Sequence, residues 1–146
     1  ERDDTSPSVE SLVRLCQVLS LPVGDLFAEP AVVRIPLSEA PLINMGGTDA
    51  VERLVSARQE ARVQVLHSTL DAGASGGKDL YTVNCDVEVV HVIDGQLVVH
   101  FAAGDVPCDA GDSLTLPGRE PHTWTAGEDG ATVLWVLVPA AWSGAG

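Results

Sequence analysis

From Glu29 onward the chain alternates apolar and polar positions in short runs separated by Gly, Pro, Asp and Ser, the texture of antiparallel strands in a sandwich or barrel. The candidate strands are Val32–Ile35, Val51–Val55, Arg62–Leu70, Tyr81–Ile93, Gln96–Phe101, Ser113–Leu116 and Thr132–Val138. Ahead of them, Ser6 to Phe27 carries the one strong helical signal, with Leu12, Leu15, Cys16 and Leu19 at helical spacing. Ser6 reads as the N-cap and Pro7 as the first helical residue, giving a helix of about three to four turns. Ser20-Leu21-Pro22 breaks the period, and Val23-Gly24-Asp25-Leu26-Phe27 reads as one extra turn that returns Leu26 and Phe27 to the helix. A segment this short cannot bury its apolar stripe alone.

The sharpest local signal is Asp94-Gly95 between two apolar runs, the favoured pair for a two-residue type I′ hairpin. That turn would pair Ile93 with Gln96, Val90 with Val99 and Glu88 with Phe101. Glu88, Val90, Val92, Leu97, Val99 and Phe101 then share one face, and Val89, His91, Ile93, Val98 and His100 the other. Both faces are largely apolar, so the second should be covered by another sheet layer or a second subunit; a homodimer is expected.

Composition narrows the class. With 146 residues and 45% hydrophobic positions the chain can bury a core without staples. Cys16, Cys85 and Cys108 lie far apart with no CxxC spacing, which suits a reducing compartment, and no apolar run approaches a bilayer span. A cytoplasmic protein with no membrane partner is expected. A net charge of −13 opposes contact with phosphate backbones, so this piece alone should bind DNA poorly. The start at Glu1 rather than Met suggests residues lost upstream.

Glu1-Arg2, Ser6-Pro7-Ser8-Val9-Glu10-Ser11-Leu12, Leu15-Cys16 and Asp25-Leu26-Phe27 resemble the end of the helix-turn-helix domain of phage-repressor-like (XRE family) regulators. In that family the recognition helix lies upstream of a pair like Glu1-Arg2, so operator DNA would be met through helices missing here. The remainder resembles a cupin barrel. Glu88 followed by six residues and Gly95 fits its first motif; Gly111, Pro117 and His122 fit its second. Ala110-Gly111-Asp112, Pro121-His122-Thr123-Trp124 and Val133-Leu134-Trp135-Val136 with Pro139 add to the likeness. The resemblance implies a mainly β protein: a cupin-type double-stranded β-helix (jelly-roll) barrel with a short N-terminal helical segment left from a helix-turn-helix domain. It divides the chain into 1–28 (end of the DNA-binding domain), 29–47 (linker and first strand), 48–142 (sensor barrel) and 143–146 (tail).

The chain departs from metal-binding cupins where their two histidines would stand: those positions are Thr82 and Asn84. Glu88 and His122 alone remain, and two ligands rarely hold a divalent cation. No metal or other cofactor is expected; if a metal binds, Glu88 and His122 are its ligands. The family asparagine after the second-motif histidine is Ala126. His67, beside Val63 and Val65 on one side of its strand, is the one other histidine that could complete an iron site, although it does not match the motif.

Strand alternation would keep Thr82, Asn84, Asp86 and Glu88 on one face, a polar patch suited to an organic ligand. His122 and Trp124 share a side, placing an aromatic wall beside a titratable group, while Trp135 and Tyr81 are either core or pocket. The candidate ligand-binding set is Thr82, Asn84, Glu88, His122, Trp124 and Trp135. An anionic ligand is disfavoured unless Arg53, Arg58, Arg62 or Lys78 reaches the pocket. No GxSxG elbow, phosphate-cradling glycine loop or HExxH helix is present, and no catalytic residue is assigned. The expectation is therefore a regulator, not an enzyme, in which a small-molecule effector in the barrel modulates operator binding through residues 28–38. A metal-dependent cupin oxygenase or epoxidase, and a barrel serving only dimerisation, are the alternatives.

Overall fold

The computed structural model describes residues 8–19 and 31–141. Helix α1 spans Val9–Leu19, and the Ser8 hydroxyl caps it by accepting the Ser11 N–H at 3.1 Å, while Ser6 and Pro7, the expected cap and first helical residue, lie outside the described residues. Cys16 is its one buried side chain, while Leu15 and Leu19 of the expected stripe stay about half exposed. The extra turn expected at Val23–Phe27 lies outside the described residues.

The rest is mainly β. A short 3₁₀ turn (Leu37–Glu39) leads into β1 (Leu42–Ile43), β2 (Thr48–Leu54), β3 (Gln64–Ser75), β4 (Val87–Phe101), β5 (Gly104–Asp109), β6 (Ser113–Pro117) and β7 (His122–Val138). All pairings are antiparallel, in the order β1-β2-β3-β7-β4-β5, with β6 on the free side of β4. Two long strands organise the fold. The first half of β4 lies between β6 and the last third of β7; its second half lies between β5 and the start of β7.

Asp94-Gly95 does not make the expected hairpin. It is a corner inside one continuous strand, and β4 pairs there with β7, not with itself: Val90 meets Trp135 and Val99 meets Trp124. Gly95 takes the φ of +76° that a type I′ turn would also need, and Gly130 opposite it takes +75°. A Cβ on Gly95 would run into the Gly130 carbonyl, so the two strands bend together only because both corners lack side chains. The true β4–β5 hairpin turns eight residues later, where Phe101 pairs with Gly104. The face assignment nonetheless holds. The irregular register at the corner shifts the alternation by one residue, so Glu88, Val90, Val92, Leu97 and Val99 are all buried.

Val32–Ile35 is not a strand, and Val32 is fully exposed. β1, β5 and the first half of β7 were not expected. β5 is a chain-poor edge whose Pro107 needs no ladder N–H, which explains its weak signal. Inside, Leu54, Leu66, Leu70, Val90, Val92, Leu97, Val99, Leu116, Val133 and Leu137 pack into one core with Trp124 and Trp135.

Candidate functional site

At one end of this core lies a small cavity that opens to solvent. Its wall draws Met45 and Gly47 from the loop before β2, Glu52 from β2, Leu66 from β3 and Gly76 from the loop after it. Tyr81 and Val83 come from the segment before β4, Glu88 from β4, and Trp124, Trp135 and Leu137 from β7. An apolar wall with a few convergent polar groups is the usual form of a small-molecule site.

Alternation on β4 turns Glu88 inward together with Val90 and Val92. Its carboxyl is 2% exposed, and burial pushes its pKa up to about 7. His122, at the start of β7, is fully buried against the Tyr81 ring at 4.8 Å and the Phe101 ring at 6.1 Å. Its Nδ1 lies 2.8 Å from the Glu120 carbonyl, which fixes the proton on Nδ1 and leaves Nε2 with a free lone pair in the neutral ring. Nε2 stands 3.3 Å from Glu88 Oε1, yet neither atom has a hydrogen-bond partner in good geometry. Carboxyl and imidazole thus face each other in the interior with one unsatisfied polar atom on each.

A second carboxyl faces the same space. Glu52 is 6% exposed and accepts the Ser68 hydroxyl at 3.5 Å, and Ser68 in turn receives the Trp135 indole N–H at 3.0 Å. Burial raises the Glu52 pKa, and the Ser68 hydroxyl and the Met45 backbone N–H oppose that rise. The Tyr81 hydroxyl is likewise held well above its usual value, by burial first and by the Glu88 charge second. Trp124 and Trp135 meet at 6.0 Å with their planes 48° apart, an aromatic corner.

Of the six candidate residues, Glu88, Trp124 and Trp135 line the cavity and His122 supports it from behind. Thr82 and Asn84 do not join them. Both are exposed, and Asn84 Oδ1 accepts from Arg119. The regular strand starts only at Val87, so alternation cannot be extended back through Asp86; Tyr81 and Val83 turn inward instead. Glu52 escaped notice because its strand reads with Val51 and Val55 as the apolar face, whereas Val51 is half exposed and Glu52 with Leu54 points in. His67 shares the outer face with Val65, remote from the Glu88 side. His91 and His100 also lie outside, bonded to Ser113 and Thr125.

A cupin-type metal does not fit these residues. Thr82 and Asn84, at the positions of two family histidines, are exposed, which leaves only Glu88 and His122 of the family set. No group of three His, Cys, Asp or Glu side chains able to hold a metal ion occurs among the described residues.

No family model matches the sequence, and no curated protein matches it. Solved structures do match in fold. An RmlC-like cupin from Shewanella frigidimarina aligns at a TM-score of 0.60 with 16% identity, over 75% of this chain and 93% of that one. The polyketide cyclase RemF from Streptomyces resistomycificus aligns at 0.62 with 13% identity, over 75% and 80%. The Fe(II) form of HppE aligns at 0.61 with 16% identity, over 89% and 76%. The fold is therefore the jelly roll of RmlC-like cupins. One expectation is overturned: lack of nucleophile motifs and metal histidines had pointed away from an enzyme, but the barrels that this one matches include that of a cyclase. Among the described residues no helix is long and apolar enough to cross a membrane.

Proposed function

We propose that the barrel binds a small organic molecule in the Glu88 cavity as the effector-binding part of a helix-turn-helix regulator. The observation that carries the binding reading is the buried, unsatisfied pair Glu88 Oε1 and His122 Nε2 beside a cavity walled by Trp124, Trp135 and Tyr81. Buried polar atoms without partners cost about 1–3 kcal/mol each, and a ligand that supplies those partners recovers that cost on binding. The regulator half rests on the repressor-like residues ahead of the barrel and on the order of the two parts. In this reading the protein is a cytoplasmic homodimer whose effector favours one of two arrangements of the DNA-binding domains.

A second reading is favoured by the Glu88 carboxyl, raised to about 7 beside an imidazole. An acid poised near neutrality is suited to move a proton to or from a bound molecule, so the same site can run acid–base catalysis without a metal. Both readings meet in one experiment. The purified chain is assayed for metal content and screened against small metabolites by thermal shift, and each hit is followed for chemical change. A metal-free protein stabilised by an unaltered compound, with the shift lost in Glu88→Ala, supports the sensor; turnover of the compound supports the second reading. Stoichiometric metal lost in His122→Ala overturns both, and operator binding by the full-length protein that ignores the effector removes the regulatory half.

A further inference from the structure

Among the described residues, the cavity wall carries charge of one sign only. Glu52 and Glu88 both face it, and no Lys or Arg is among its lining residues. Of the basic side chains among the described residues, Arg53 donates to the Ala40 carbonyl at 2.7 Å, Arg62 pairs with Glu60 on the surface, Arg119 donates to Asn84, and Arg14, Arg34, Arg58 and Lys78 are exposed. The rest of the wall is aromatic and aliphatic, with the Trp124–Trp135 corner offering two π faces. Glu88 Oε1 is an unpartnered acceptor on a side chain 2% exposed. An anion entering here would meet two acids and no donor cation, whereas a cation would find carboxylates to neutralise and indole faces to lie against.

Resting on the small-molecule reading above, we propose that the ligand is a small organic cation of the alkylammonium class. Its charged head is met by Glu52 and Glu88, and its carbon chain lies against the Trp124–Trp135 corner. Glu52 gives the head a fixed acceptor, since Ser68 and Trp135 already hold that carboxyl in place. Glu88 gives it the acceptor that the fold leaves unpaired.

The test is a charge series of constant carbon length: n-butylammonium, n-butanol and n-butyrate titrated against the purified full chain at pH 8 by ligand-observed NMR. The ammonium is expected to bind at least about tenfold more tightly than the alcohol, the worth of one charge-assisted hydrogen bond, and the carboxylate not at all. Glu52→Gln, checked for native tryptophan fluorescence, is expected to lower ammonium affinity by about tenfold and leave the alcohol unchanged. Glu88→Gln serves as the second variant, with the same expected selectivity. Alcohol or carboxylate binding equal to or tighter than the ammonium overturns the cation but leaves the cavity reading standing. Ammonium binding indifferent to both variants does the same. Failure of all three probes to bind overturns the cavity reading as well.

Discussion

Glu52 and Glu88 face the same cavity from different strands, and the fold treats them differently. Both are almost fully buried, and burial raises the pKa of each. Glu52 ends a chain of donors that runs from the Trp135 indole through the Ser68 hydroxyl, so its desolvation is opposed from within the protein. Glu88 has only the His122 ring at 3.3 Å, in poor alignment, and nothing else opposes its burial. One acid is settled by its neighbours; the other is held in readiness. A carboxyl kept unsatisfied in an otherwise well-packed barrel is where function is to be sought, because a merely structural acid would have been given partners like those of Glu52.

The largest break in this comparison comes from Trp135→Ala. The indole is 5% exposed, packs on Trp124 and anchors Ser68, so truncation opens a cavity and removes the first donor of the Glu52 chain. A loss of about 3–5 kcal/mol is expected by urea unfolding. A loss under about 1 kcal/mol would mean that the Glu52 side is not held by the indole at all.

The second effect is smaller and depends on pH. Glu88 titrates near 7 when folded and near its ordinary value of 4.5 when unfolded. Below 4.5 both states carry the proton; between 4.5 and 7 only the folded state does, so stability falls as pH rises through that window and levels off above it. The group's share of that fall is about 3 kcal/mol. Glu88→Gln cannot ionise, so the variant should be no more stable than the wild type at pH 4.5 and more stable by up to about 3 kcal/mol at pH 8. Unfolding curves at the two pH values, compared as differences, read this directly. A constant difference at both would show that the folded protein does not hold the Glu88 proton above its ordinary range.

The barrel class was legible because Gly111 and the segment between Pro117 and His122 mark the turns that bound β6, and because the apolar run after Thr132 sits on regular strand. The corner at Gly95 was legible only in part. A glycine with positive φ serves a tight hairpin and a bent strand equally, and what decides between them is β7, whose Ala131 lies 36 residues on from Gly95 and which meets both halves of β4 only after folding. Thr82 and Asn84 were misplaced for a related reason: alternation was run past the end of the strand. Glu52 was hidden because local pattern turns the valine of this strand inward, whereas Val51 looks outward and a carboxyl looks in beside Leu54. Burying an acid in preference to a valine makes sense only in terms of the partners that await it, and those are Ser68 on β3 and Trp135 on β7, beyond the reach of local pattern.

The finest probe of the contrast is Ser68→Ala. Ser68 is fully buried and stands between the indole that donates to it and the carboxyl to which it donates. Its replacement leaves the Trp135 N–H without an acceptor and takes the hydroxyl from Glu52, at an expected cost of about 1–2 kcal/mol near pH 5. The deficit should widen as pH rises, because Glu52 loses a bond that favours its charged form and its folded pKa climbs further above the unfolded one. In Ser68→Ala, Glu52 would then resemble Glu88. If the cost instead stays constant with pH, the 3.5 Å contact contributes nothing to the charge state of Glu52, and the backbone N–H of Met45 alone distinguishes the two acids.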